Sequence, residues 1–141
     1  MRAFVAILAM VLCTGSAIAQ GLVGMEKQIL PMTKENWIAF RNYDGKQLIY
    51  FTHLVVYRCG LSEIRYSFNS HALDSRLDMP DCDLQRPNEI PSDFLPFLSL
   101  PLGTAKSMTV QIVYSDGEES DALTFAPCDI ADDGTCATLV E

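Results

Sequence analysis

The chain reads as a mostly β domain, a sandwich of short strands, and three observations lead there. Asp-Gly pairs at Asp44-Gly45 and Asp116-Gly117 each sit between runs of aromatic and β-branched residues, which is a hairpin signal. Ile64, Tyr66 and Phe68 alternate with Glu63, Arg65 and Ser67, the period of a strand with one covered face. Five prolines between Pro80 and Pro101 exclude a long helix from the middle of the chain.

The opening residues precede that domain. Arg2 is followed by nine unbroken apolar residues, Phe4 to Leu12, and then by a small-residue stretch ending in Ala-x-Ala at Ala19. This is the order of a secretory signal peptide over residues 1–19, with Gln20 the expected mature N-terminus. Nine apolar residues are too few to span a hydrocarbon core, which takes roughly twenty. Stable membrane insertion is therefore not expected after cleavage. Absence of any Asn-x-Ser/Thr site and the Ala-x-Ala ending fit a bacterial periplasm, with secretion as the alternative.

Residues 20–35 hold no sustained period and are expected to be an extended lead-in to a single domain over 36–141. Trp37 to Asn42 is the first strand, and Asp44-Gly45 turns it into a second. That second strand is expected to run from Gln47 to Cys59. Its residues are apolar at both parities, as in a central strand covered on both faces. Ser62 to Asn69 is the third. The proline-rich stretch from Ser70 to Thr104 is expected to be a long loop with a short strand near Phe97 to Leu100. Met108, Val110, Ile112 and Tyr114 share one face of the next strand, and Ala122 to Phe125 returns after Asp116-Gly117.

The segment from Leu100-Pro101-Leu102-Gly103 through that last hairpin resembles the closing strands of immunoglobulin-like or fibronectin-like β-sandwiches in exported bacterial proteins. The likeness covers about 26 residues and implies a fold, with no functional residues.

Signal cleavage removes Cys13 and leaves Cys59, Cys82, Cys128 and Cys136. An even count in an exported chain predicts two disulfides, and nearest-neighbour pairing gives Cys59–Cys82 and Cys128–Cys136. The spacing includes no C-x-x-C, so neither a zinc site nor a redox pair is expected.

Charge is uneven. The whole chain carries 10 basic and 18 acidic residues, yet Met108 to Glu141 holds eight acids and no Lys or Arg. That field repels nucleic acid and anionic lipid. Asp129, Asp132 and Asp133, inside the Cys128–Cys136 loop beside Gly134, are the candidate Ca²⁺ ligands, although the D-x-D-x-D-G order of a calcium-binding loop is missing. No cofactor is expected.

For chemistry, Ser70, His71 and Asp74 have the residue types of a nucleophilic triad without its usual separation in sequence. His53 is expected to be a hydrogen-bonded core or interface residue on the long strand. Tyr50, Tyr57, Arg58, Arg65 and Tyr66 form the candidate binding patch, being aromatic and arginine side chains near a disulfide. The expected function is that of a non-enzymatic binding or accessory protein of the cell envelope, its partner another envelope protein or a small ligand. The alternatives are a small hydrolase-like enzyme and a Ca²⁺-binding or inhibitor-like module.

Overall fold

The computed structural model describes residues 22–128 and 134–140. The signal-peptide segment 1–19 and the candidate calcium ligands Asp129, Asp132 and Asp133 lie outside the described residues.

The chain is mostly β and forms two antiparallel sheets. In the first sheet, β1 (Ala39–Tyr43) and β2 (Lys46–Tyr50) make a hairpin, and β5 (Phe97–Pro101) pairs along the other side of β2. Asp44 and Gly45 both adopt positive φ, 50° and 70°, as a two-residue hairpin turn with the strands' own twist requires. The second sheet has the order β4-β3-β6-β7-β8, from β3 (Leu61–Phe68), β4 (Ser75–Arg76), β6 (Met108–Tyr114), β7 (Leu123–Ala126) and β8 (Thr138–Leu139). Register places Ile64 opposite Ile112, Tyr66 opposite Val110 and Phe68 opposite Met108, so the expected apolar faces meet side by side.

Both sheets feed one hydrophobic cluster, with Phe40 and Ile49 from the first and Ile64, Val110, Ile112 and Phe125 from the second. They are also tied at an edge. Phe40 and Cys136 exchange two backbone hydrogen bonds of 2.9 Å, joining β1 to the segment that leads into β8. The polar face of β6 is covered too: Thr109 and Thr124 are buried, and their hydroxyls bond each other at 3.1 Å. Buried hydroxyls without partners would be costly, so this pairing keeps the second face closed.

Two expectations fail. The long strand from Gln47 to Cys59 ends at Tyr50, and the chain continues as α2 (Thr52–Val56) and a 3₁₀ turn, Arg58–Gly60. Phe51, Leu54, Val55 and Arg58 are buried, at spacings of three and four. A run apolar at both parities contains this helical pattern as well as the strand pattern, and here the helical one wins.

The lead-in is likewise not extended throughout. Residues Glu26–Met32 form α1, which contains Pro31 in its last turn and is capped by Thr33. Two turns are too short to display a period, and tertiary contacts hold them. Leu30 is fully buried, and its carbonyl accepts the indole N–H of Trp37 at 3.0 Å. Glu26, also buried, lies against Gly60 so closely that a Cβ there would stand 2.2 Å from its carboxyl carbon. Lys27 reaches across to Asp116 and Glu118 in the β6–β7 connection.

Candidate functional site

Residues 77–96 contain no helix or strand, and they pass over the end of α2. Backbone bonds from Leu77 N–H to the Ile64 carbonyl and from Phe51 N–H to the Pro96 carbonyl tie the two ends. Leu77, Met79, Ile90 and Phe94 pack on the core, and three further links hold the loop to α2 and the turn after it. The Cys59–Cys82 disulfide joins it to the 3₁₀ turn, as expected from the spacing. Asn88 donates through its amide to the Val56 carbonyl at 3.0 Å. Arg58 supplies the third, and it is 3% exposed. Its Nε donates to the Asp81 carbonyl at 3.1 Å, while Nη1 donates to the Val55 and Pro87 carbonyls, both at 3.3 Å.

The local sequence explains the position of this guanidinium. Val55 is in the last turn of α2, so Arg58, three residues on, reaches its carbonyl at the C-terminal end of the helix. The other two carbonyls come from the loop on either side of Cys82 and Asp83. Taking a guanidinium out of water costs several kcal/mol unless its protons find acceptors. Carbonyl dipoles receive three of those donations, yet Nη2 is buried and has no partner among the described residues.

Arg58 lines a cavity of roughly 270 Å³, together with Asp81, Asp83, Arg86, Glu89 and Asp93. Its carboxylates are not equivalent. Arg86 bridges Asp83 at 3.3 Å and Glu89 at 3.1 Å. The backbone N–H of Gln85 holds the Asp83 carboxyl below its usual range, and Arg86 adds to the effect. Asp81 and Asp93 are exposed, and no side-chain hydrogen bond or ion pair engages their carboxylates among the described residues. No three His, Cys, Asp or Glu side chains among the described residues converge as metal ligands. The cavity therefore presents a spread acidic rim beside the buried Arg58.

The other members of the expected patch go elsewhere. Tyr50 packs on Phe97 with ring centres 5.4 Å apart, and it lines a separate open cavity with His53. Tyr57 meets the His53 ring edge-on at 5.3 Å. Arg65 and Tyr66 are adjacent in β3 and so point to opposite faces. Arg65 pairs with Glu63 at 2.7 Å and with Glu119, while Tyr66 packs on Phe51 and Phe68. Of the five, Arg58 alone lines the acidic cavity. Sequence reasoning missed the rim, whose signal was the run of acids from Asp81 to Asp93 among the prolines.

The histidines have hydroxyl partners. His53 Nε2 lies 2.9 Å from Thr33 Oγ1, and that hydroxyl donates its own proton to the Ile29 carbonyl at 2.9 Å. His53 must then be the donor in the pair, and burial lowers its pKa. It lies on α2, not on a strand, and hydrogen-bonds as expected. His71 Nδ1 faces Thr109 at 3.1 Å. Neither of the two neighbours that share the residue types of a triad bonds it: Ser70 Oγ accepts from the Ala72 N–H, and Asp74 accepts from Ser75. The second disulfide, Cys128–Cys136, forms as expected. Among the described residues no helix is long and apolar enough to cross a membrane.

Comparison with family models, with curated proteins and with solved structures finds no match to this chain.

Proposed function

We propose that this chain is an exported binding or accessory protein of the cell envelope, periplasmic in location, which holds a partner and performs no turnover. In this reading the two sheets are an immunoglobulin-like or fibronectin-like sandwich that serves as a rigid base. The loop over α2 is the part that meets the partner. One observation carries it: a loop anchored by a disulfide and by the buried Arg58 guanidinium holds an open cavity whose rim carries the exposed, unpaired carboxylates of Asp81 and Asp93. Binding residues are found disproportionately on loops held by a rigid scaffold. Paired cysteines and a signal-like N-terminus support export.

The test is position-specific crosslinking in the native host. A photoreactive residue at Ser92, which is exposed and lines the cavity, is compared with one at Asp44 on the β1–β2 turn. The reading expects a discrete protein adduct from position 92 and none from position 44. No adduct at 92, or the same adducts at both positions, would contradict it.

A further inference from the structure

The edges of the two sheets are not alike. β4 and β8, which end the larger sheet, are two residues each, and β4 carries the charge of Arg76. β1 is held on its outer side, where Phe40 and Cys136 exchange hydrogen bonds. β5 differs: it is five residues long, and no strand among the described residues pairs with its outer side. Short strands, charges and covering segments are the usual guards of an edge, and β5 has only Pro96 before it and Pro101 at its end.

The register shows which backbone groups are left over. The Phe51 N–H donates to the Pro96 carbonyl at 2.8 Å, and bonded pairs alternate along an antiparallel ladder. Leu98 and Leu100, opposite Ile49 and Gln47, therefore spend their groups on β2. The N–H and C=O of Phe97 and Ser99 point outward, and nothing among the described residues bonds them. Pro101, next in that series, has no N–H. Its carbonyl already accepts from the Thr104 N–H at 3.2 Å and the Thr104 hydroxyl at 2.7 Å.

We infer that this edge pairs with the β5 edge of a second copy of the chain, antiparallel, about a two-fold axis at Leu98. The two three-stranded sheets then join into one. Placed so, Phe97 of one copy exchanges both backbone bonds with Ser99 of the other, and symmetry repeats the exchange, so no outward group is left over. The neighbouring register, with Ser99 opposite itself, sets Phe97 against Pro101, which cannot return a bond. The edge thus fits itself in a single register. Charge favours the approach as well. In a chain of net charge −8, Phe94 to Ala105 holds no charged residue, so two copies meet here with no like charges opposed. Leu95 and Leu102, 65% and 54% exposed, stand just outside the ends of the strand. The two-fold brings Leu95 of each copy toward Leu102 of the other, covering apolar surface that a lone chain leaves in water. This pairing does not depend on the binding role proposed above.

Sedimentation equilibrium of the purified, oxidised protein, from about 1 to 500 μM, is expected to show a reversible monomer–dimer equilibrium. Its Kd is expected on the order of 100 μM, since so short a ladder buries less than a permanent interface does. Amide exchange at Phe97 and Ser99 is expected to slow as concentration rises, while that at Asp44, in the β1–β2 turn, stays constant. Ser99→Pro removes an outward N–H without touching the bonds to β2, and is expected to weaken the dimer about tenfold. Should that variant not fold, Ser99→Lys sets two like charges diagonally across the ladder and is expected to weaken it similarly. Leu84→Lys, at a leucine 74% exposed and outside β5, is the control for general stickiness and is expected to leave the dimer unchanged. A monomer throughout, a dimer untouched by the Ser99 variants, or an equal loss in Leu84→Lys would overturn the pairing. So would an edge that stays open in the pure protein yet, from a photoreactive residue at position 99 in the host, yields an adduct with a different protein, which would make that protein the occupant.

Discussion

Strand β6 and the loop of residues 77–96 hold their places in the molecule by opposite means. Six of the seven residues of β6 are buried, and both of its faces are covered. In the loop only Pro87 is buried, and its carbonyl is one that Arg58 grips. The strand is held by apolar area removed from water, spread over many neighbours. The loop packs only the half-buried Leu77, Met79, Ile90 and Phe94 on the core, so a crosslink and a buried cation add to that area in offsetting the entropy of ordering about twenty residues. A region so lightly packed can leave carboxylates such as those of Asp81 and Asp93 free for another molecule; a close-packed strand cannot.

The difference is open to test at each end. Ile112, fully buried at the middle of β6, should be the most sensitive position. Ile112→Ala is expected to cost about 4 kcal/mol by urea unfolding, from lost burial and the cavity left behind. Removing the Cys59–Cys82 crosslink by paired serines should cost about 3 kcal/mol, the chain-entropy value for its sequence separation of 23. A larger loss from the serine pair than from Ile112→Ala would reverse the ranking of the two regions.

The smallest expected effect is at His53, whose imidazole ties α2 to Thr33 beside α1. Burial lowers its pKa from 6.5, so the unfolded chain takes up the proton first as pH falls. Its contribution is fully present above about pH 6.5 and is lost progressively below that, down to the depressed folded value. Unfolding curves at pH 7.5 and 5.0 should differ less in His53→Gln than in the wild type. An unchanged difference would remove histidine desolvation from the account.

How much of this was legible in the sequence follows the same division. Asp44-Gly45 and Asp116-Gly117 announce their turns because positive φ is a local demand, met by a few residue types. The alternation of Ile64, Tyr66 and Phe68 is local as well, and nearest-neighbour pairing of the four cysteines was enough to give both disulfides. Phe51 to Gly60 was not legible, since its apolar residues satisfy two periods and only packing chooses between them. Nor was α1, whose two turns depend on Leu30 and Trp37 meeting. The cavity was the least legible part. Arg58 stood out beside Cys59, but its acceptors lie 23 and 29 residues along, at Asp81 and Pro87, and no periodicity marks a carbonyl in a loop.

The central claim is that the loop over α2 needs the Cys59–Cys82 crosslink to keep its shape, whereas the β core does not. Amide hydrogen exchange on the wild type and on Cys59→Ser with Cys82→Ser tests it most directly. Protection should drop at Arg86, Glu89 and Phe94, whose N–H groups close the turns of the loop, and should persist at the amides paired between β3 and β6. An equal loss of protection in both regions, or none in the loop, would contradict it.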